Sequence, residues 1–135
     1  MVGSIDYEKS KSGNTNFANA NLQPGSSFKP IVYATAFGPE YKSSPASLTY
    51  DLPTDFGQYK PNDYDGKWRG PVTNRQALAG SLNIPAIKNL YLVGVRAAID
   101  KAQDLGITTL NRPVGEYGLY LVLGSGEVKP IEMAS

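Results

Sequence analysis

The stretch Gln23-Pro24-Gly25-Ser26-Ser27-Phe28-Lys29-Pro30, continued by Ile31-Val32-Tyr33-Ala34-Thr35-Ala36-Phe37, decides how the chain is read. Proline lacks an amide hydrogen and fits only the first turn of a helix, so Pro30 sets a helix start near Ser26 or Ser27. Gly38-Pro39 stops it. From Phe28 onward the segment is apolar nearly all round, which is the pattern of a central buried helix rather than of an amphipathic surface one. One charged residue, Lys29, enters that helix, and a serine lies three residues before it.

Around this helix, 135 residues make one domain's worth of chain, long enough to bury a core. Thirteen Lys and Arg against twelve Asp and Glu leave a net charge of +1, which exerts no bulk attraction on nucleic acid or anionic lipid. There is no Cys and no His. A cysteine nucleophile, a Ser-His-Asp triad, a disulfide framework and a Cys/His zinc site are therefore excluded, and no metal or cofactor is called for. Nucleophilic catalysis in such a chain needs Ser or Thr with Lys or a carboxylate as base. No run of about 18 apolar residues is present, and Met1-Val2-Gly3-Ser4 lacks the basic and apolar regions of a secretory signal. Met1 to Ile5 reads as the tail of a strand and Pro130 to Ser135 as the first turn of a helix, so both ends are expected to be cuts within a longer protein.

Residues 8–16 read as a polar loop. Residues 39–72 hold Pro39, Pro45, Pro53, Pro61 and Pro71 among Asp, Asn, Gly and Tyr. Irregular chain is expected there, with short strands at most, including Thr49-Tyr50-Asp51 and Tyr59-Lys60. Thr73 and Gln76 have the spacing of a capping box ahead of Ala77-Leu78-Ala79, a short helix ending near Ser81. Asn83 reads as the cap of a second helix, with Pro85 near its start, running to Tyr91 or Leu92. A third helix over about 95–105 lines up Val95, Ala98, Ile99, Ala102 and Leu105, and Gly106 closes it. Tyr120 to Leu123 is an apolar run too short for periodicity to tell strand from buried helix.

If the helix starts at Ser26, residues three apart share a face and the Ser26 hydroxyl can meet the Lys29 amine. An ammonium cannot accept a proton, but burial in apolar surroundings lowers a lysine pKa, and the helix N-terminus opposes the cation while favouring a developing alkoxide. Free backbone N–H groups there are also placed to bind an acyl oxyanion. The plainer reading is a capping serine and a lysine that extends to water; ten following residues of nearly unbroken apolar character leave little water to reach. Ser81-Leu82-Asn83 offers a second polar pair: a hydroxyl able to pass a proton between Lys29 and a leaving amine, and an amide able to hold Lys29 and a substrate amide. Its plainer reading is a helix cap. Ser12-Gly13-Asn14 repeats the pattern in a polar loop.

Gln23 to Pro30 resembles the active-site serine segment of penicillin-binding proteins. The stretches Gly70 to Ala86 and Leu123 to Pro130, and Tyr64-Asp65-Gly66-Lys67, resemble the class A, bifunctional kind, and the likeness covers nearly the whole chain in order. The resemblance implies an α+β fold: an incomplete transpeptidase domain of the penicillin-binding-protein and serine β-lactamase type, spanning residues 1–135, mostly its helical portion with part of the antiparallel sheet. It implies Ser26 as the nucleophile acylated by the D-Ala-D-Ala end of a peptidoglycan stem peptide or by a β-lactam, Lys29 as its base, and Ser81 and Asn83 as the relay and positioning pair. Ser12-Gly13-Asn14 is then a decoy, since the family's second motif follows the nucleophile. The family's third motif, Lys-Thr/Ser-Gly on a later strand, does not occur after Asn83, and Tyr120 stands where a small residue is expected. The implied partners are stem peptides and β-lactams, with no nucleic acid, and a membrane only through an anchor that this chain does not carry; the implied location is the extracytoplasmic face of the cell membrane. A D,D-carboxypeptidase or β-lactamase, a penicillin-sensing domain and a catalytically inert truncation are the alternatives, and residues 1–135 alone are expected to expose apolar surface and to associate or fold poorly.

Overall fold

The computed structural model describes residues 8, 13, 15–57 and 59–135. The expected strand tail at Met1 to Ile5, and Ser12 and Asn14 of the repeated pattern, lie outside the described residues.

The helix-forming stretch divides in two. Gly25–Phe28 is a turn of 3-10 helix and leads directly into α1, Lys29–Ala36, with Pro30 in its first turn. Lys29, Ile31, Val32, Tyr33, Thr35 and Ala36 of α1 are all buried. The nearly unbroken apolar run thus makes a central helix.

Most of the proline-rich segment is irregular, but it frames a short sheet. Strands β1, Leu48–Asp51, and β2, Gly70–Thr73, pair antiparallel, with Tyr50 opposite Pro71 and Asp51 opposite Gly70. Proline is tolerated in β2 because a two-stranded sheet consists of edges only. Thr49 to Asp51 is strand as expected; Tyr59-Lys60 is not, and β2 was not foreseen within the irregular region.

Thr73 ends β2 and caps α2, Asn74–Ala79. Its hydroxyl accepts from the Gln76 amide and the Gln76 side chain accepts from the Thr73 amide, the reciprocal bonds expected from their spacing. Helix α3, Asn83–Val93, follows, its cap at Leu82 rather than at Asn83. Helix α4, Val95–Asp104, buries Ala98, Ile99 and Ala102 as the periodicity predicts. Leu105 does not join that stripe: the helix has already ended and the side chain is 54% exposed.

Residues 118–123 resolve the ambiguous apolar run as 3-10 helix, with Leu121 and Val122 fully buried and Tyr120 turned outward at 51% exposure against the ring of Tyr59, 4.3 Å away between centroids. A terminal helix α5, Pro130–Ala134, closes the chain. Phe28, Val32 and Tyr33 of the first segment, Ile87 and Leu90 of α3, Ala98 and Ala102 of α4, and Leu121 and Val122 form one hydrophobic cluster. Each large side chain removed from water there contributes roughly 1.5–3 kcal/mol. The result is helix-rich with a two-stranded antiparallel sheet.

Candidate active site

A 3-10 turn places side chains at i and i+3 in eclipse. Ser26 and Lys29 stand at the two ends of such a turn, closed by the Lys29 amide donating to Ser26 O. The Ser27 hydroxyl is engaged, donating to Pro24 O at 2.6 Å. Ser26 is exposed and its hydroxyl makes no hydrogen bond among the described residues.

Lys29 behaves differently from an ordinary surface lysine. Only 1% of it is exposed. Its Nζ donates to Ser81 O at 2.6 Å, to Asn83 Oδ1 at 2.7 Å and to Ser81 Oγ at 3.2 Å. An ammonium has three N–H donors, and all three are used. Burial nevertheless pulls the Lys29 pKa below its ordinary value, because desolvation penalises the cation; the nearby Asp63 carboxyl opposes that pull. Of the three partners, the Ser81 carbonyl and the Asn83 amide oxygen can only accept. The Ser81 hydroxyl can accept from the ammonium or donate to the neutral amine, so it is the partner through which a proton can be exchanged.

Ser81 is held in the left-handed region at φ 51°, a conformation costly for a residue with a β-carbon. The kink after α2 turns both its carbonyl and its hydroxyl onto Lys29. Asn83 opens α3 as its first residue, and its side chain is not spent on capping. Oδ1 accepts from Lys29 and Nδ2 donates to Asn62 O at 2.9 Å. The Asn83 amide is capped instead from the loop between the strands, by Asp63 Oδ1 at 2.5 Å.

The structure therefore brings Lys29, Ser81 and Asn83 into hydrogen-bond contact across more than fifty residues of sequence. It leaves the Ser26 hydroxyl free of Lys29, one turn away and open to solvent. Sequence reasoning missed Asp63, whose capping role depends on a fold-level approach of residue 63 to residue 83. It also missed Gly124, which packs on the serine turn: a β-carbon there would overlap Gly25 N and Cα and lie 2.7 Å from Gly25 O. Among the described residues no group of three or more His, Cys, Asp or Glu is arranged to hold a metal ion, and no helix is long and apolar enough to cross a membrane.

Comparison with known proteins bears on this arrangement. The chain is 34% identical over 135 residues to penicillin-binding protein 1C of Escherichia coli and 36% identical over 136 residues to penicillin-binding protein 1F of Bacillus subtilis, covering 99% and 98% of this chain. Over nearly its whole length the chain is a homologue of class A penicillin-binding proteins. It spans 17% and 18% of the length of those two relatives. Among solved structures, penicillin-binding protein 1A of Haemophilus influenzae superposes with a TM-score of 0.79 at 31% identity, over 98% of this chain and 20% of that one. PonA1 of Mycobacterium tuberculosis, solved in complex with penicillin V, gives 0.77 at 26% identity, over 89% of this chain and 35% of that one. The fold is thus that of part of a penicillin-binding-protein transpeptidase region, as the sequence resemblance implied. No family model matches the chain.

Proposed function

We propose that these residues carry the nucleophile, base and proton relay of a serine D,D-transpeptidase that cross-links peptidoglycan and is acylated by β-lactams. Lys29 in its neutral form takes the Ser26 hydroxyl proton as Oγ attacks the carbonyl carbon of the penultimate D-Ala. The C–N bond to the terminal D-Ala then breaks, and its nitrogen receives the proton from Lys29 by way of the Ser81 hydroxyl. The resulting ester on Ser26 is attacked by the amine of a neighbouring stem peptide, which forms the cross-link and returns the proton to the serine. Asn83 holds Lys29 in place and offers a second amide hydrogen to substrate. The backbone N–H of the exposed serine turn supplies an oxyanion donor, and the family's Lys-Thr/Ser-Gly strand would supply the other. By the same family reading, the site works on the extracytoplasmic face of the membrane.

The observation that carries this reading is the buried Lys29 amine, drawn below its usual pKa and held by both polar residues of the Ser81-Leu82-Asn83 string. The penicillin complex of PonA1 supports the β-lactam as ligand class. The test is labelled penicillin applied to a protein carrying this chain together with the segment that bears the third motif. Label on Ser26 that is lost in Ser26→Ala supports the reading; equal label on the variant ends it.

A further inference from the structure

Asn83 holds Lys29, and Asn83 is itself held from the loop between the strands. Its Nδ2 donates to Asn62 O at 2.9 Å. Its amide and that of Ile84 donate to Asp63 Oδ1, at 2.5 and 3.4 Å. That loop is tied to the sheet by one side chain the proposed chemistry does not use, Arg69, which directly precedes β2. Arg69 Nη1 lies 3.6 Å from Oδ2 of both Asp63 and Asp51, and Nη2 donates to Asp65 Oδ2 at 2.7 Å. The Arg69 amide also donates to Asp51 Oδ2 at 2.9 Å. Asp51 ends β1 opposite Gly70 of β2, so a continuous series of contacts runs from the sheet through Arg69 and Asp63 to Asn83 and Lys29.

Charge follows the same route. Asp51 and Asp63 are both buried, and Asp63 Oδ2 has no hydrogen-bond partner among the described residues, which leaves the guanidinium to offset its charge. A buried carboxylate bound to the same residue as the Lys29 amine favours the ammonium, whereas a base must give that proton up. A guanidinium stays charged at any working pH and brings the opposite sign to the same place. We propose that Arg69 is a positioning residue for the acyl-transfer base: it pins the loop that sets Asn83 on Lys29, and it offsets the buried carboxylates that would otherwise hold Lys29 as an ammonium.

The inference rests on Lys29 being the base. Asp63 opposes the fall that burial imposes on the Lys29 pKa, the direction that an offsetting cation must counter. The other charged or titratable groups around the cluster are Tyr33 from α1, Lys88 from α3, and Asp65 beside Arg69. Burial holds the Tyr33 phenol neutral by raising its pKa, Lys88 is committed to Tyr50 O at 2.6 Å, and Asp65 is the exposed end of the Arg69 contacts. None of the three takes the place of Arg69 at Asp63.

Hydrogen exchange of the Asn83 and Ile84 amides, with the pH profile of Ser26 acylation by labelled penicillin, tests this in the protein that carries the third motif. Arg69→Gln should speed exchange at both amides and move the acidic limb of acylation up by about half a pH unit or more, which is about threefold less label at a fixed pH below it. Arg69→Lys keeps the charge and should return the limb most of the way. Removing a partner of buried charges also costs stability, but a purely structural role lowers the yield of label without shifting the profile along the pH axis. Should Arg69→Gln fail to fold, the same substitution in an Asp51→Asn background, with one buried charge fewer, is compared with Asp51→Asn alone. A limb unmoved by loss of the guanidinium, or not returned by Arg69→Lys, overturns the inference and leaves the transpeptidase reading intact. Faster amide exchange in Arg69→Gln together with a wild type whose Ser26 takes no label ends the transpeptidase reading and keeps Arg69 as the anchor of the loop.

Discussion

Gly124 packs so tightly on Gly25 that the backbone of one occupies the place where a side chain of the other would begin. Gly124 ends the 3-10 helix 118–123 in the left-handed conformation, at φ 88°, and Gly25 opens the serine turn at φ 57°. The two segments are further tied by the antiparallel bridge of Leu22 to Val128, with both hydrogen bonds at 2.9 Å. Gly124→Ala is therefore expected to push the serine turn away. The left-handed backbone alone costs about 1–2 kcal/mol for a residue with a β-carbon, and the overlap adds to it. Urea unfolding should show at least that loss, and acylation of Ser26 should fall further than the loss of folded protein explains. Wild-type stability and acylation in the variant would show that the contact relaxes at no cost.

Asn83→Asp tests what holds Lys29. The change preserves shape and the acceptor oxygen 2.7 Å from Nζ but sets a carboxylate against it. An opposite charge at that distance favours the ammonium. Each unit by which the Lys29 pKa rises lowers the neutral amine about tenfold at a fixed pH below it. Acylation at neutral pH should drop accordingly and recover as pH is raised, while the thermal midpoint falls with the loss of the Nδ2 bond to Asn62 O. A profile that falls without shifting along the pH axis would mean that Asn83 serves substrate rather than Lys29.

Thr73→Ala removes one half of the reciprocal cap at the start of α2. The Gln76 amide loses its acceptor, while the bond from the residue-73 amide to the Gln76 side chain remains available. The expected cost is about 1 kcal/mol, read as a lower urea midpoint with an unchanged slope. The Ser81 kink at the far end of α2 should be undisturbed, so acylation per folded molecule should equal that of the wild type.

The contrast between Thr73 and Asn83 shows what a sequence can disclose here. The capping box is local: four residues contain both donors and both acceptors, and the structure forms both bonds. Likewise Pro30 and the apolar run after it sufficed to place a central helix, because the one face that reaches the surface, Pro30 and Ala34, is itself apolar and leaves no polar face to misread. Asn83 reads as a cap by the same local logic, yet its amide is capped by Asp63, twenty residues earlier, and its side chain is released for Lys29. That exchange depends on the loop between the strands folding over the start of α3, which no spacing encodes. Strand β2 escaped notice for a related reason: Gly-Pro-Val-Thr has little strand character of its own and pairs because β1 lies beside it. The split of the serine segment into a 3-10 turn and an α-helix is a difference of one hydrogen-bond register, and the same side chains would serve either.

The buried charges also predict how stability varies with pH. Asp51 has a raised pKa in the folded protein, so the folded state binds its proton more tightly than the unfolded chain does. Stability must then fall as pH rises from the unfolded aspartate value of about 4 to the raised folded value, and stay lowered above it. Lys29 has a lowered folded pKa and acts in another window: its cost is full below that pKa and is relieved as pH rises from there toward the unfolded lysine value of about 10.4. Glu132, held below its usual range by two hydrogen bonds from Thr108 and by Lys129, contributes stability above the unfolded carboxylate value of about 4.3 that is lost as pH falls through its folded pKa. Asp51→Asn should remove the first of these slopes and leave the other two. Urea unfolding of the wild type and the variant at intervals from pH 3 to 10 measures this directly: the difference in free energy between them should grow from about pH 4, level off above the folded pKa of Asp51, and favour the variant. A difference that stays flat across that range would show that folding does not raise the Asp51 pKa.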